Sequence, residues 1–207
     1  AYSWQKYYKP LEIGTRLYVV PQWLREEPVP RGRVPFYLNP GLTFGTGSHA
    51  STQLCLEGVE EHTVPGRDVL DLGCGSGILS VAALRLGAGS ALAVDIDDKC
   101  RTAARENAGL NGIGPDRLDI LVGNLLTDGA AAEKIGGGYD LVLANIVADV
   151  IIALAPRVRG LLSPGGTFLC SGIIEGRADE AAAALNAAGL EIRTRREDNG
   201  WYAFTCQ

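Results

Sequence analysis

Three glycines at alternating positions are the strongest chemical signal in the chain. The apolar segment 69–72 leads directly into Gly73, Gly75 and Gly77, and a helical pattern begins immediately afterwards. Glycine allows a sharp turn and close approach of a ligand to the backbone, and the first turn of a helix presents unpaired N–H groups. The spacing G-x-G-x-G differs from the G-x-G-x-x-G of dinucleotide-binding proteins. The segment therefore predicts a ligand-binding turn and argues against NAD, with a purely structural turn as the alternative.

A carboxylate follows at the end of the next apolar segment. Asp95 lies 22 residues beyond Gly73, where an acidic side chain can accept hydrogen bonds from both hydroxyls of a ribose. The alternative is a carboxylate that caps the following helix, but Asp97 is already placed for that role. Asp95 is therefore predicted to bind ribose.

The elements that must position these residues alternate between strand and helix patterns from about residue 66. Short apolar runs predict strands, and periodic apolar residues that end at Gly, Asn or Pro predict helices. An Asp-Asn-Gly turn at 198–200 predicts a terminal hairpin between 190–196 and 201–206. The fold class is therefore α/β: a doubly wound, mostly parallel seven-stranded sheet, Rossmann-like, with a C-terminal antiparallel hairpin. The other predicted strands are 67–72, 91–94, 118–122, 139–144 and 167–170, and the predicted helices are 78–86, 97–110, 147–162 (broken or restarted near Pro156) and 178–188.

The first 65 residues differ from the rest. They are aromatic, rich in Pro and Gly, and weakly periodic. We interpret residues 1–65 as a linker and extension that cover the active-site edge of a core formed by residues 66–207, within one compact domain. The chain begins with Ala1 and contains no Met, which indicates that N-terminal residues are missing or that Met positions are not represented.

The composition argues against several classes of protein. Hydrophobic residues make up 46% and charged residues 21%, as in soluble globular proteins, and no apolar run approaches the ~20 residues that span a bilayer. A net charge of -5 argues against a nucleic-acid surface over the whole domain. The five cysteines are widely spread and form no C-x-x-C pair, so neither a disulfide framework nor a metal site is indicated. A reducing, cytoplasmic location fits this pattern best.

Together, the glycine turn and Asp95 resemble those of the class I S-adenosylmethionine-dependent methyltransferases. The segment 39–52 narrows the resemblance, because it is similar to the signature that precedes the glycine motif in ribosomal-protein methyltransferases of the PrmA type. Segments 4–10 and 171–174 are similar to further elements of that family, so the resemblance covers essentially the whole chain. Three residues of this segment differ from the family pattern: Asn39, Ser48 and Ala50 stand where the family commonly has Asp, Thr and Pro. These differences concern the shape of the signature loop more than cofactor binding.

The resemblance implies S-adenosylmethionine as the cofactor and amino groups of large-subunit ribosomal protein eleven, on lysine side chains or the N-terminus, as methyl acceptors. In amine-modifying members of the class, the position of Asn145 faces the transferred methyl group and the acceptor nitrogen. Asn145 is therefore predicted to orient the amine, with a turn-capping asparagine as the alternative. The resemblance places cofactor contacts on Thr52, Gly73, Asp95 and Asn145, and the expected cofactor site further includes Gly75, Gly77, Phe44, Gly45, Thr46, Asn124 and Leu125.

His49 is a second candidate for the reaction. An imidazole can take up a proton near neutral pH, so His49 can act as proton acceptor for an ammonium substrate; the alternative is a histidine that fixes the loop by hydrogen bonds. Phe44 offers an apolar wall for the cofactor, and Trp201 is expected in the core or at the border of the substrate entrance. A sulfonium is an activated methyl donor, so the reaction needs aligned partners and a deprotonated amine, without a covalent nucleophile or a metal.

Three rival functions stay open at this point. The first is a methyltransferase of the same fold that acts on another protein or on a small-molecule amine or amide. The second is a nicotinamide-binding oxidoreductase, against which the glycine spacing and Asn145 count, and the third is a non-catalytic cofactor-binding module. The resemblance also implies a separate N-terminal domain that recognises the ribosomal protein. Since 207 residues leave no room for it, we expect either an excised catalytic domain or a shortened homologue with another substrate.

Overall fold

The computed structural model of the protein describes residues 3–41 and 49–207. Within these ranges the strands are β1 (Leu11–Ile13), β2 (Leu17–Pro21), β3 (Val34–Leu38), β4 (Asp68–Leu72), β5 (Ser90–Asp95), β6 (Leu118–Val122), β7 (Tyr139–Asn145), β8 (Leu162–Ile174), β9 (Ile192–Asp198) and β10 (Trp201–Cys206). The helices are α1 (Ala50–His62), α2 (Ile78–Arg85), α3 (Lys99–Leu110), α4 (Gly129–Ile135), α5 (Ala148–Leu161) and α6 (Ala178–Ala187). Short 3-10 turns lie at Ser3–Tyr7, Gln22–Leu24 and Glu175–Arg177.

Seven strands form the main sheet, in the order β6-β5-β4-β7-β8-β10-β9. The pairs β6-β5, β5-β4, β4-β7 and β7-β8 are parallel, whereas β10 is antiparallel to both β8 and β9. The chain winds outward from β4 through β5 to β6 and then returns to β7 and β8, so the winding reverses between β4 and β7. This topology confirms the predicted doubly wound, mostly parallel seven-stranded sheet with its terminal hairpin.

Apolar residues at consecutive positions explain why the sheet lies in the middle of the molecule. Successive side chains of a strand point to opposite faces, and a parallel sheet covered by helices needs apolar side chains on both. Val69 and Leu141 pack on the face that carries α1, α2 and α3. Leu70, Val142 and Phe168 pack on the opposite face, with α5 and α6. The sheet is therefore covered on both sides, and the edge at the carboxyl ends of its parallel strands is left for a site.

Some elements differ from those predicted. α5 runs unbroken through Pro156, where the sequence predicts a break; Leu154 and Val158 on either side are buried against the sheet, and this packing outweighs the backbone hydrogen bond that proline removes. β8 begins directly after α5, with an irregular pairing near Tyr139, and is longer than the predicted strand. α1, α4 and β1 to β3 are not predicted. In the described parts of the chain, no helix is both long enough and apolar enough to cross a membrane.

The first 65 residues contain α1 and a second, smaller sheet. Its order is β1-β2-β3, with β1 antiparallel and β3 parallel to β2. Leu17 and Phe36 of this sheet are fully buried in the same apolar cluster as Val69. The Glu60 carboxylate of α1 accepts hydrogen bonds from the backbone N–H groups of residues 15–17, at 2.9 to 3.1 Å. The small sheet is thus fastened to the helices on one face of the main sheet. The division of the chain at residue 65 stays a prediction.

Candidate active site

The point where the winding reverses creates a cleft at the carboxyl ends of the parallel strands. The turn after β4 and the turn after β7 start at neighbouring strands and continue into helices on opposite faces of the sheet. In open α/β sheets, ligands bind in the crevice that such a divergence leaves. The predicted site residues at the ends of β4, β5 and β7 all fall at this edge.

The glycine turn after β4 adopts a conformation that other residues rarely take. Gly73, Gly75 and Gly77 have φ angles of 70°, 50° and 76°, in the left-handed region where an L side chain is strained. The N–H groups of Gly73 and Cys74 both donate to the carbonyl of Val94 at the end of β5, at 2.8 and 3.0 Å. The turn is therefore hydrogen-bonded to the neighbouring strand. Glycine occupies the three alternating positions because their backbone is left-handed.

Asp95 ends β5, and its carboxylate connects two turns. Oδ2 accepts the N–H of Gly75 at 2.9 Å, and Oδ1 accepts the N–H of Asp97 at 3.0 Å. A carboxylate has about four lone-pair sites, so the half-buried Asp95 retains capacity for further donors such as hydroxyls. The carboxylate of Asp97 accepts the N–H of Lys99 at the start of α3, at 3.0 Å. The helix begins later than predicted, with Asp98 instead of Asp97 as its N-cap residue, and Asp95 lines the cleft.

A first cavity, of about 360 Å³, lies beside Asp95 between the ends of β4, β5 and β6. Its lining is mostly apolar and includes Leu125, which is buried. The side-chain oxygen of Asn124 accepts the N–H of Leu126 at 2.9 Å and so shapes the turn after β6. An apolar cavity with a carboxylate at its border suits a nucleoside, because the base needs apolar walls and the ribose needs an acceptor. The lining residues are Leu72, Gly73, Val94, Asp95, Ile96, Gly123, Asn124, Leu125, Leu126, Ile146, Val150 and Leu154.

A second cavity, of about 510 Å³, lies on the other side of the glycine turn. Gly73 and Ile146 line both cavities. A β carbon on Gly73 would overlap the Cγ2 of Ile146, so only glycine lets the two turns approach this closely. The two cavities are therefore adjacent and share the wall formed by these two residues. The second cavity is lined by His49, Ser51, Thr52, Gly73, Cys74, Gly75, Ser76, Ile78, Leu79, Asn145, Ile146, Val147, Gly172 and Trp201.

Asn145 ends β7 at the border of the second cavity. Its Nδ2 donates to the hydroxyl of Thr52 at 3.3 Å, and Thr52 is buried in the first turn of α1. This contact engages the amide nitrogen of Asn145 and leaves the side-chain oxygen as an acceptor. A β carbon on Gly172 would lie 3.1 Å from that oxygen and 2.6 Å from the carbonyl of Ile146. The glycine at 172 therefore leaves the surroundings of the Asn145 oxygen open.

His49 caps α1. Its Nδ1 accepts the backbone N–H of Ser51 at 3.2 Å and lies 2.8 Å from the Ser51 hydroxyl. Since a backbone N–H can only donate, Nδ1 carries no proton in this arrangement. The imidazole also packs against Trp201 edge to face, with ring centroids 4.7 Å apart. These are the contacts expected of a histidine that fixes the loop by hydrogen bonds. They also place Trp201 at the border of the second cavity.

A buried carboxylate lies in β4 directly before the glycine turn. Asp71 is 1% exposed and its Oδ2 accepts the Ser80 hydroxyl at 2.6 Å, while Oδ1 has no hydrogen-bond partner among the described residues. Burial, together with a smaller effect of the nearby charge of Asp95, raises the pKa of Asp71 to about 7 against the opposing hydrogen bonds from Ser80. Asp71 lines neither cavity, and its hydrogen bond with Ser80 joins β4 to α2.

The structure brings most of the predicted site residues together. Thr52, Gly75 and Asn145 line the second cavity, Asp95, Asn124 and Leu125 line the first, and Gly73 lines both. Gly77 begins α2 as its N-cap residue. Phe44, Gly45 and Thr46 lie outside the described residues.

Several lining residues are missing from the sequence-based set, and Ile146 and Gly172 are the two among them whose close contacts shape the site. Ile146 directly follows Asn145, and Gly172 lies within the family element 171–174, so proximity to a motif is the only sequence signal for either. Their contacts involve residues far away in the chain, which local patterns do not reveal.

A family model and individual relatives of known name all match this chain as the same family. A family model described as "Ribosomal protein L11 methyltransferase (PrmA)" matches residues 1–207. Proteins named ribosomal protein L11 methyltransferase from Pelotomaculum thermopropionicum and Symbiobacterium thermophilum are 47% and 45% identical over 208 and 204 residues. These alignments cover 100% and 98% of this chain and 65% and 64% of the relatives. The chain thus spans about 65% of the length of these relatives.

Solved structures agree with this assignment. The crystal structure of a ribosomal protein L11 methylase from Lactobacillus delbrueckii subsp. bulgaricus has a TM-score of 0.85 and 35% identity, covering 97% of this chain and 98% of that one. An O-methyltransferase family protein from Burkholderia thailandensis shares the fold, with a TM-score of 0.60 and 22% identity over 73% of this chain and 54% of that one. The glycine turn, Asp95 and Asn145 at one cleft, together with a match along the whole chain, show that the chain belongs to the ribosomal protein L11 methyltransferase (PrmA) family.

Proposed function

We propose that the chain is an S-adenosylmethionine-dependent methyltransferase that transfers methyl groups to amino groups, on lysine side chains or the N-terminus, of ribosomal protein L11. The observation that carries this proposal is the pair of adjacent cavities, one with the Asp95 carboxylate and the other with the Asn145 amide. One cavity suits a nucleoside, and the other can hold a reacting amine. The cytoplasm, where ribosomal proteins and reduced, buried cysteines are both found, belongs to the same proposal.

The residues of the cleft fit S-adenosylmethionine. Asp95 would hold the ribose, the apolar lining around Leu125 would hold the adenine, and the turn at Gly73 with Thr52 would hold the amino-acid portion. The buried hydroxyl oxygen of Ser76, beside the second cavity, has no hydrogen-bond partner among the described residues. A polar ligand next to it can satisfy this group. When bound, the cofactor supplies an activated methyl group on a sulfonium.

The chain's own contribution to the transfer is binding and alignment. The side-chain oxygen of Asn145 can accept a hydrogen bond from the incoming amine and orient its lone pair, because its nitrogen is already engaged by Thr52. As positive charge develops on the amine, this interaction strengthens. His49 would act as a proton acceptor only after it gives up its contact with the Ser51 N–H. We therefore assign His49 the role of holding the start of α1, with Asn145 as the catalytic residue.

The division of the chain belongs to the proposal as well. Residues 66–207 supply the glycine turn, Asp95 and Asn145, whereas residues 1–65 supply Thr52, His49 and the small sheet. Both parts contribute to the second cavity, so we propose that the extension 1–65 completes the active-site edge of the core.

Methyl transfer to purified, unmethylated L11 tests the acceptor. The chain is incubated with S-adenosylmethionine labelled in the methyl group, and mass spectrometry locates the label on lysine side chains or the N-terminus. Asn145→Ala serves as the control for enzyme-dependent transfer. Label on amino groups of L11, lost with this variant, is the expected result. Binding of S-adenosylhomocysteine without transfer to L11 would show that the proposed acceptor is wrong.

A further inference from the structure

Asn107 of α3 and Asn111, the residue that caps the C-terminus of this helix, fasten it to the end of β3. Asn111 accepts the N–H of Tyr37 at 2.8 Å and donates to the Tyr37 carbonyl at 2.7 Å. Asn107 accepts the N–H of Asn39 at 2.9 Å through its Oδ1. Asn39 is the first residue of the signature segment 39–52. Both asparagines therefore hold the strand that leads into this segment.

Asn107 differs from Asn111 in its second contact. Its Nδ2 donates to the backbone carbonyl of Ser76 at 2.9 Å, in the middle of the glycine turn. Because the N–H of Asn39 can only donate and the Ser76 carbonyl can only accept, these contacts fix the orientation of the amide. Asn107 is 2% exposed, so water does not replace either bond without a rearrangement. One buried side chain thus bridges the signature segment and the glycine turn.

The position of Ser76 gives this bridge a consequence for the site. Gly75 and Gly77, on either side of it, both have left-handed backbone conformations. The Gly75 N–H is bound by Asp95 on one side, and the Ser76 carbonyl is bound by Asn107 on the other. The turn is thus held at two successive residues, both of which line the second cavity. Thr52, in the signature segment that Asn39 begins, lines the same cavity.

The geometry points to Asn107 as a positioning residue, which holds the glycine turn in its ligand-binding conformation and couples it to the start of the signature segment. Asn107 acts through the Ser76 carbonyl and the Asn39 N–H and lines neither cavity. The expected effect on S-adenosylhomocysteine rests on the proposed cofactor, whereas the effect on the turn itself does not.

Asn107→Ala and Asn111→Ala form a matched pair for the test. Each loses hydrogen bonds between the C-terminal end of α3 and the end of β3, so both are expected to lower the Tm of the ligand-free chain. Only Asn107→Ala also frees the turn, and we expect its Kd for S-adenosylhomocysteine to rise by about tenfold or more, against less than about threefold for Asn111→Ala. Calorimetry is carried out at a temperature where both variants are folded. Equal affinity losses in the two variants would show that Asn107 is only structural.

Hydrogen exchange of the variant Asn107→Asp provides a second test of the bridge. This test applies even if Asn107→Ala does not fold or the unmodified chain does not bind S-adenosylhomocysteine. The aspartate is nearly isosteric and retains an acceptor for Asn39, but it has no N–H for the Ser76 carbonyl. In the ligand-free chain, amide exchange of residues 73–77 is expected to accelerate in Asn107→Asp and to stay unchanged in Asn111→Asp. Failure of the unmodified chain to bind S-adenosylhomocysteine would overturn the proposed function. Unchanged exchange of the turn in Asn107→Asp would overturn the bridge.

Discussion

At the scale of single residues, the two polar side chains of the cleft have different tasks. The Asp95 carboxylate is fixed by two backbone N–H groups and retains acceptor capacity next to the first cavity. The Asn145 amide is fixed by the Thr52 hydroxyl and has its oxygen available at the second. We therefore expect changes at Asp95 to act on cofactor affinity and changes at Asn145 to act on the rate of transfer.

Asp95→Ala is expected to weaken binding of S-adenosylhomocysteine by about 10- to 100-fold, because hydrogen bonds to a charged acceptor are lost. Asp97→Ala is the matched control. It removes the contact with the Lys99 N–H at the start of α3 but leaves the acceptor in the cleft. Calorimetry gives the affinities and thermal unfolding confirms that both variants fold. Equal affinities for Asp95→Ala and the unmodified chain would make Asp95 purely structural.

Asn145→Ala is expected to lower the single-turnover rate of methyl transfer by about 10²- to 10³-fold, as for other single polar groups that stabilise a transition state. Its affinity for S-adenosylhomocysteine should stay within about tenfold, since the contact with the amine is strongest in the transition state. Thr52→Val removes only the hydroxyl that orients the amide and should cause a smaller loss of rate. If affinity collapses while the bound fraction reacts at the normal rate, Asn145 is a cofactor anchor instead.

At the scale of elements, the site depends on how closely the turns after β4 and β7 approach each other. Alternating glycines and a carboxylate at a strand end are local patterns, so the turn at 73–77 and Asp95 could be predicted. The contact between Gly73 and Ile146 and the bridge from Asn107 to Ser76 join residues far apart in the chain. No local pattern encodes them. Helix α1 could not be predicted because its sequence has weak apolar periodicity. This helix nevertheless supplies Thr52, which orients Asn145.

Gly73→Ala tests the close approach of these two turns. The backbone at Gly73 is left-handed, which costs an L residue about 1–2 kcal/mol, and the added methyl group would overlap Ile146. We expect a lower Tm and a large loss of affinity for S-adenosylhomocysteine. Adding Ile146→Ala should relieve the overlap but not the backbone strain, so the double variant should regain only part of the Tm. Unchanged affinity in Gly73→Ala would contradict a ligand at this turn.

Asp71→Asn tests the buried carboxylate of β4. Its pKa is raised in the folded chain to about 7, above its value in the unfolded chain, so the folded state favours the protonated form. The stability associated with Asp71 is thus greatest at low pH and declines as the pH rises toward about 7. The Tm of Asp71→Asn, relative to the unmodified chain, should therefore be higher at pH 8 than at pH 5. A difference in Tm between Asp71→Asn and the unmodified chain that does not change with pH would refute the raised pKa of Asp71.

At the scale of the whole molecule, one apolar cluster joins the small sheet to the main sheet. Fully buried Leu17 and Phe36 belong to the same cluster as Val69 and Leu141. The topology of the main sheet follows from the alternation of strand and helix patterns and was predictable. The small sheet was not, because its three strands are short and its burial depends on helices from later in the chain. The reversal of winding between β4 and β7 then places the glycine turn, Asp95 and Asn145 at one edge.

Calorimetry with S-adenosylhomocysteine shows whether this edge of the sheet binds S-adenosylmethionine. The intact chain is titrated in parallel with S-adenosylhomocysteine and with NAD, and Asp95→Ala is titrated as the control for the site. We expect saturable binding of S-adenosylhomocysteine with one molecule per chain, weakened in Asp95→Ala, and no binding of NAD. Binding of NAD without binding of S-adenosylhomocysteine would contradict this expectation.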